Sequence, residues 1–140
     1  MSENGANMKV KDRMSTELFL VSPDKKMNRI QDVIEWNNVR HVPVVDNEGY
    51  LLGIISQRDL LKTTISNADS KTQYEMLQKV PVSDFMKTDV ITTTPDTDLS
   101  EAAWLLIENK IGCLPVLDKD RKMIGIVTES DFVKLAAYKH

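Results

Sequence analysis

The hydrophobic pattern of this chain switches between helical spacing and short continuous runs, and the same order occurs twice. In the first half, the apolar residues at helical spacing are Met27, Ile30, Val33 and Ile34. They predict an amphipathic helix. The apolar runs 42–45 and 51–55 predict a β-hairpin because the turn-forming segment 46–49 separates them. The run 51–55 is apolar at nearly every position, so both of its faces are expected to be covered.

Further elements complete this order in each half. An extended segment over 18–21 is predicted to be a first strand, and the Pro23–Asp24 pair is predicted to mark the start of the helix. A second helix is expected to begin at about Arg58. The apolar positions of the corresponding helix in the second half are Leu99, Ala102, Ala103 and Leu106. There Asp98 and Glu101 resemble a capping box. Each half therefore reads strand, helix, strand, strand, helix, which is a mixed α/β fold class.

One offset aligns the two halves without a gap. Val10 corresponds to Val82, and the same offset of 72 residues relates Pro23 to Pro95, Pro43 to Pro115, Gly53 to Gly125 and Asp59 to Asp131. Proline and glycine have special backbone requirements, so their recurrence in register indicates an internal repeat.

The repeat divides the chain into four predicted segments. They are a disordered N-terminal lead over 1–7, a first repeat over 8–66, a connector over 67–79 and a second repeat over 80–140. The spacing of Gln73, Met76 and Leu77 predicts a short helix in the connector.

Composition narrows the possible function classes. The 140 residues carry a formal net charge of -3. This charge gives no reason to expect nucleic-acid binding, which needs a strong basic surplus. No apolar stretch approaches the roughly 20 residues of a membrane helix, so no membrane association and a cytoplasmic location are expected. The single cysteine, Cys113, lies in an apolar run and is interpreted as a small buried hydrophobe rather than a reactive thiol.

The chain has no pattern typical of an enzyme. His41 and His140 are far apart in sequence. We find no nucleophile with a base at a recognisable spacing, no Gly-rich phosphate loop and no metal-ligand cluster in the sequence. We therefore expect no catalytic residue, no catalytic cofactor and no metal. Trp36, Trp104 and Phe132 lie within periodic segments and are interpreted as core or interface residues rather than parts of a cofactor site.

Four strings, two in each half, resemble a known signature. They are HVPVVD at 41–46, LLGIISQRD at 51–59, LPVLD at 114–118 and MIGIVTESD at 123–131. These strings are similar to the signature of the cystathionine-β-synthase (CBS) domain, and the resemblance covers about residues 8–138. The chain thus resembles a tandem pair of CBS domains, known as a Bateman module.

This resemblance implies both a fold and a function. The fold would be two βαββα repeats that pack through their sheets with pseudo-twofold symmetry. In the family, the clefts between the repeats hold adenosine-type ligands such as AMP, ADP, ATP or S-adenosylmethionine, and the modules often form homodimers. The resemblance therefore implies a small stand-alone regulatory module, of the kind used in energy sensing, that passes its signal to a separate effector protein.

The main candidate ligand residues are two pairs of a hydroxyl and an acid, Ser56 with Asp59 and Thr128 with Asp131. Each hydroxyl lies where a strand is predicted to end, and the acid follows in the first helical turn. A carboxylate has two acceptor oxygens and can bind both hydroxyls of a ribose. The alternative interpretation is a capping box, which the same spacing also fits, and the two roles can coexist.

An adenine base needs an apolar slot with backbone hydrogen-bonding groups. The resemblance assigns these slots to the first strand of each half, the Pro-Val step and the return strand. The residues are Leu18, Phe19, Val42, Pro43 and Ile54 in the first half, and Val90, Ile91, Leu114, Pro115 and Ile126 in the second. Ordinary core packing is the alternative interpretation at each position.

Arg40 and His41 are the candidate phosphate-binding residues. By resemblance, relatives that bind AMP or ATP often carry basic residues just before the Pro-Val step, and a guanidinium suits phosphate geometry. The alternative is a solvated surface pair. Their counterparts Gly112 and Cys113 are uncharged, so the two sites are not expected to be equivalent, although Lys110 could partly substitute.

Two function hypotheses follow. The leading hypothesis is the adenosine-sensing regulatory module. The alternative is a structural dimerisation or protein-interaction module with a degenerate, unliganded pocket. A rise in melting temperature with ligand separates the two, because a ligand that binds only the folded state stabilises that state.

Overall fold

The computed structural model describes residues 8–64 and 67–138. Its helices and strands, in chain order, are α1 (Met27–Asn37), β1 (His41–Val45), β2 (Leu51–Ser56), α2 (Gln57–Lys62), α3 (Ser70–Leu77), α4 (Leu99–Asn109), β3 (Cys113–Leu117), β4 (Met123–Thr128) and α5 (Glu129–Tyr138). Short 3-10 helices over Val10–Asp12 and Val82–Asp84 precede the two halves. The mixed α/β class and the helix in the connector are confirmed. The predicted disordered lead over 1–7 lies outside the described residues.

The chain folds as two compact units that do not coincide with the sequence repeats. One unit, called here the Asp59 unit, comprises residues 19–90. The other, the Asp131 unit, comprises residues 8–18 together with residues 91–138. The first lead (residues 8–18) therefore packs with the body of the second repeat. The second lead (residues 80–90) packs with the body of the first.

The two predicted hairpins are confirmed and have the same register. In β1 and β2, His41 lies opposite Ser56 and Pro43 lies opposite Ile54, and the ladder is irregular next to Val45. The pairing of β3 with β4 repeats this register 72 residues later. In the first hairpin the turn is held by Asp46, whose Oδ1 accepts the backbone N–H groups of Glu48 and Tyr50, both at 2.9 Å. A short acidic side chain that accepts local amides stabilises such a turn.

The predicted first strand of each half is reduced to one parallel bridge. Val21 donates its N–H to the carbonyl of Pro43 at 3.1 Å and accepts the N–H of Val45 at 3.0 Å. Thr93 makes the same two bonds with Pro115 and Leu117 in the other unit. The strand predictions at 18–21 were too long because the chain turns at the proline two residues later, which has no N–H to continue a ladder.

The two expected helix caps are wrong. Asp24 accepts the hydroxyl of Ser22 instead of capping α1, which begins after Lys26. Asp98 precedes α4 without a side-chain cap bond because its carboxylate pairs with the ammonium of Lys9 at 2.6 Å. Both carboxylates take partners that the local sequence pattern does not specify, and the Lys9 contact helps to fix the first lead.

Each unit has its own apolar core. The buried core residues of the Asp59 unit are Val21, Met27, Ile30, Ile34, Val42, Val44, Ile55, Leu60, Leu77 and Val82. Those of the Asp131 unit are Val10, Ala102, Leu106, Leu114, Val116 and Val127, with Phe132 packed against them. Val10 and Val82 come from the leads, so each core contains a residue of the other repeat. Burying such aliphatic side chains is the main favourable contribution to folding.

Two tryptophans lie outside the core, which leaves the interface as the predicted alternative for them, and the prediction for the cysteine is confirmed. Trp36 and Trp104 are 76% and 59% exposed and so do not belong to the core. The helix faces that bear them lie opposite the buried apolar positions. Cys113 is buried, and loss of solvation raises the pKa of its thiol to about 12. It therefore behaves as a small hydrophobe rather than a nucleophile.

The leads attach through backbone pairing beside a glycine. Lys87 of the second lead exchanges two backbone hydrogen bonds with Ile54, at 3.0 and 2.9 Å. Ser15 of the first lead does the same with Ile126, at 2.9 and 3.0 Å. A Cβ on Gly53 would lie 2.8 Å from the carbonyl oxygen of Lys87. The repeated glycine thus leaves room for the backbone that crosses it.

Candidate functional site

Asp59 lies in the first turn of α2, directly after the end of β2, and is 6% exposed. Its Oδ2 accepts the backbone N–H of Ser56 at 2.9 Å and the Ser56 hydroxyl at 3.0 Å. The Ser56 Oγ in turn accepts the N–H of Asp59 at 3.2 Å. The capping box that the sequence allowed as an alternative is therefore formed.

The second oxygen of Asp59 has a different environment. Oδ1 lies 3.8 Å from the ammonium nitrogen of Lys87, whose side chain is 63% exposed. The capping bonds fix the carboxylate through Oδ2 and direct Oδ1 toward the second lead. Capping and ligand binding can therefore use different oxygens of the same group.

Asp131 has a related but not identical arrangement at the start of α5. Its Oδ2 accepts the backbone N–H of Thr128 at 2.8 Å and lies 3.4 Å from the Thr128 hydroxyl. That hydroxyl is also 3.0 Å from the Ser130 hydroxyl. Asp131 is partly exposed, whereas Asp59 is buried. The second pair is thus the looser of the two.

The hairpin register brings the candidate phosphate residues to the same end of the sheet. His41 lies directly opposite Ser56, and the carbonyl of Arg40 accepts the N–H of Gln57 at 2.8 Å. Arg40 is exposed. In the Asp131 unit, Cys113 lies opposite Thr128, and exposed Lys110 ends α4 in the left-handed conformation. The phosphate candidates of the first repeat are therefore grouped with Ser56 and Asp59.

Strand alternation separates the proposed adenine residues into two sets. Pro43 and Ile54 are paired and share a sheet face with His41 and Ser56. Pro115 and Ile126 are paired in the same way beside Cys113 and Thr128. Val42 and Leu114 are fully buried members of the two apolar cores, so in this conformation they present no surface to a ligand. Pro43 and Pro115 are buried as well, whereas their partners Ile54 and Ile126 are partly exposed.

The remaining slot candidates are partly exposed and lie at the boundaries of the units. Phe19 and Val90 belong to the Asp59 unit, whereas Leu18 and Ile91 belong to the Asp131 unit. Leu18 and Phe19, although adjacent in sequence, therefore belong to different units, and the same is true of Val90 and Ile91.

Sequence reasoning missed Lys87 and Ser15. Each lies in a lead and reaches the strand of the other repeat through the backbone bridge described above. No local motif identifies them, because their importance arises from pairing between segments distant in sequence. The repeated glycines at 53 and 125 were the available signal, since a strand glycine often marks a close backbone approach.

Two kinds of feature are absent from residues 8–64 and 67–138. No group of three His, Cys, Asp or Glu side chains is placed to hold a metal ion. No helix in these ranges is both long enough and apolar enough to cross a membrane.

Comparison with known proteins gives consistent matches across nearly the whole chain. The family model for the CBS domain matches twice, over residues 10–65 and 82–138. A CBS domain-containing protein of Dictyostelium discoideum is 37% identical over 129 residues, which cover 90% of this chain and 89% of that protein.

Two solved structures with bound ligands are also similar to this chain. One is CBSX2 of Arabidopsis thaliana in complex with AMP, with 30% identity, a TM-score of 0.80 and coverage of 95% of this chain and 98% of that one. The other is the CBS domain pair of MJ0100 in complex with 5′-methylthioadenosine and S-adenosyl-L-methionine. It has 27% identity, a TM-score of 0.80 and the same coverage of both chains.

Proposed function

The chain belongs to the CBS domain family and carries two copies of the domain, and from this premise we propose that it is a regulatory module for an adenosine-type ligand. The observation that carries the proposal is the repeated pair of a hydroxyl and an acid at the end of each hairpin. Both similar structures named above are described as complexes with compounds that contain adenosine. An adenosine group is common to the ligands of both structures. A carboxylate that occurs in both repeats can bind the two hydroxyls of its ribose, which supports an adenosine-type ligand for this chain.

The carboxylates are proposed to bind the ribose. In Asp59, the capping bonds hold Oδ2 in place. These two bonds occupy the acceptor sites of Oδ2, so Oδ1, which has two lone pairs, is proposed to accept the ribose hydroxyls. Asp131 acts in the same way in its unit. Because the capping bonds already fix both carboxylates, little side-chain entropy is lost on binding.

The neighbouring residues complete each proposed site. Ile54, which is partly exposed, offers apolar surface to the adenine on the face that also carries His41 and Ser56, and buried Pro43 supports it from the paired strand. Arg40 and His41 are proposed to meet a phosphate group at the end of the strand. In the other unit, partly exposed Ile126 provides apolar surface beside Thr128, and its partner Pro115 is buried.

The output of the module is also part of the proposal. A ligand can shift a conformational equilibrium only by its different affinity for the two states. We propose that ligand binding changes the preferred state of a homodimer and that a separate effector protein recognises this state. The proposed location is the cytoplasm, and no catalytic step is assigned to the chain.

The structural alternative retains one observation in its favour. Large apolar side chains are exposed on the helices of both units, including Trp36, Trp104 and Val133. Exposed groups of this kind are typical of protein contact surfaces. A structural module would use such surfaces without a small ligand.

A thermal-shift panel tests the proposal. AMP, ATP, adenosine and S-adenosylmethionine are added to the wild type and to the Asp59→Ala, Asp131→Ala and double variants. At a concentration of 100 times Kd, a ligand stabilises the folded state by about 2.7 kcal/mol. We expect at least one compound to raise the melting temperature of the wild type, and the double variant to lose this rise.

Asp69→Ala is the matched control. Asp69 also caps a helix, since its carboxylate accepts the N–H of Thr72 at 2.7 Å at the start of α3. Removing such a cap costs about 1 kcal/mol. This control should lower the melting temperature of the free protein while keeping the ligand-induced rise. A wild type that responds to none of the compounds would favour the structural module instead.

A further inference from the structure

The two proposed sites differ in charge because the leads bring different residues to them. We propose that Lys87 makes the Asp59 site selective for adenosine ligands that carry a phosphate, whereas the Asp131 site takes adenosine ligands without one. This inference rests on the proposed function and adds the ligand class of each site. It also adds Lys87, a residue of the second lead, to the binding site.

Lys87 is fixed at its backbone and free to reorient at its tip. Two hydrogen bonds to Ile54 hold its main chain beside β2. The ammonium nitrogen lies 3.8 Å from Oδ1 of Asp59, and the side chain is 63% exposed. This distance is at the outer limit of an ion pair, and the exposed ammonium remains solvated, so the contact holds the lysine tip only weakly. The ammonium can therefore turn toward a ligand at small cost.

Two further cationic residues have backbone positions next to the start of α2, which carries Asp59. Arg58 and Arg40 are both exposed. Arg58 lies in the first turn of α2, and Arg40 contacts the start of the same helix through its carbonyl. Lys87 contacts the buried carboxylate directly, and the two exposed arginines are attached to the backbone beside it. Without these cations, Asp59 would repel a phosphate bound beside the ribose.

The corresponding positions of the Asp131 unit carry no cation. The residues that replace Lys87, Arg58 and Arg40 are Ser15, Ser130 and Gly112. Glu129 replaces Gln57 and adds a second carboxylate to the first turn of α5. Ser15 occupies the same backbone bridge as Lys87, to Ile126 instead of Ile54. The fold is thus the same at both sites, while the formal charge of these residues falls from +2 (Lys87, Arg58, Arg40 and Asp59) to -2 (Asp131 and Glu129), or to -1 when exposed Lys110 is included.

The charge difference determines which ligand suits which site. A phosphate forms short, charge-assisted hydrogen bonds with an ammonium or a guanidinium. The Asp59 site offers these partners next to its ribose acceptor. The Asp131 site offers hydroxyls and carboxylates, which are compatible with an uncharged adenosine derivative or with a cationic sulfonium group.

Isothermal titration calorimetry with AMP and adenosine tests the assignment. Asp131→Ala serves as the background, so that only the Asp59 site contributes. In this background we expect Lys87→Ser, which installs the counterpart residue, to weaken AMP binding about tenfold, because a hydrogen bond to a charged group is lost. Adenosine binding should change by less than about twofold, since adenosine has no phosphate. Lys87→Arg keeps the charge and should retain most of the AMP affinity.

The reciprocal change uses the other site. In the Asp59→Ala background, Ser15→Lys should strengthen AMP binding at the Asp131 site and leave adenosine binding unchanged. Circular dichroism checks that each variant is folded. Because both changes are on exposed side chains, the backbone bridges should persist.

The possible results separate this inference from the proposed function. If Lys87→Ser weakens AMP and adenosine equally, Lys87 only positions Asp59, and the selectivity inference is wrong while the proposed function stands. The same holds if neither affinity changes. If the wild type binds neither compound, the proposed function fails and the inference fails with it.

Discussion

The sharpest structural prediction concerns the glycine that each lead crosses. In Gly53→Ala, the added Cβ would lie 2.8 Å from the carbonyl oxygen of Lys87 and 2.9 Å from the Met86 side chain. The carbonyl cannot move alone, because it accepts the N–H of Ile54 at 3.0 Å. The substitution must therefore push the second lead away from β2 and weaken both backbone bonds of the bridge.

The expected magnitude follows from three contributions. Overpacking of this kind costs about 1–3 kcal/mol, and each weakened backbone bond contributes about 1 kcal/mol within that range. The change from glycine to alanine also lowers the conformational entropy of the unfolded chain, which stabilises the folded protein by about 0.4–1 kcal/mol. The net expectation for Gly53→Ala is a loss of about 1–2 kcal/mol of unfolding free energy.

Gly125→Ala is the matched comparison. There the nearest atom to the added Cβ is the Met14 sulfur at 2.7 Å, which lies at the flexible end of a side chain, and the Ser15 carbonyl oxygen is 3.2 Å away. Methionine can change its rotamer, so we expect a loss below about 1 kcal/mol. The same substitution in two copies of one motif should thus have different costs.

Urea denaturation of the two variants and the wild type measures these differences. The midpoint should fall clearly for Gly53→Ala and only slightly for Gly125→Ala, with similar slopes. Gly53→Ala should also weaken AMP binding, because it displaces Lys87. Equal stability of the two variants, or a Gly53→Ala variant as stable as the wild type, would refute the role assigned to the lead contact.

Two further predictions concern buried groups. Thr93 is 6% exposed, its hydroxyl has no hydrogen-bond partner among the described residues, and Val21 occupies the same position in the other unit. Thr93→Val should therefore stabilise the protein by about 1 kcal/mol in urea denaturation, and Val21→Thr should destabilise it by a similar amount. For Cys113, burial raises the thiol pKa from 9.0 to about 12, so iodoacetamide at pH 8 should label it only after unfolding. Between pH 9 and pH 12 the thiol ionises in the unfolded chain but not in the folded protein, so the free energy of unfolding should fall as the pH rises. The slope should be up to about 1.4 kcal/mol per pH unit steeper than in Cys113→Ala, and equal slopes would contradict the prediction.

The sequence pattern was sufficient to predict the helices, the hairpins and the hydroxyl and acid pairs, because residues close together in the chain determine them. The helix over Met27–Asn37 follows from apolar residues on one face, and the hairpins follow from apolar runs around an acidic turn. The hydroxyl and acid pairs were identified because their spacing and repetition are visible in the chain. The hydrogen bonds within these pairs are also local, so the alternative capping role could be predicted as well.

Pairing between distant segments was not predictable in the same way. The first strand of each half was expected to be longer than the single bridge at Val21, because its length depends on how the chain leaves the sheet. The cap expected at Asp98 failed because Lys9, 89 residues away, takes its carboxylate. The sequence could not decide whether Trp36 belongs to the core or to an interface, and the fold places it on the helix face away from the core.

The repeat is visible as one constant offset in the amino-acid sequence, and the order of helices and strands and the acids at the hairpin ends follow from residues close together in the chain. The positions of Lys87 beside Asp59 and of Ser15 near β4 become visible in the folded chain alone. These placements depend on which lead pairs with which strand. Backbone hydrogen bonds make that choice without a side-chain signature, so each site receives one residue, Lys87 or Ser15, that no local motif identifies.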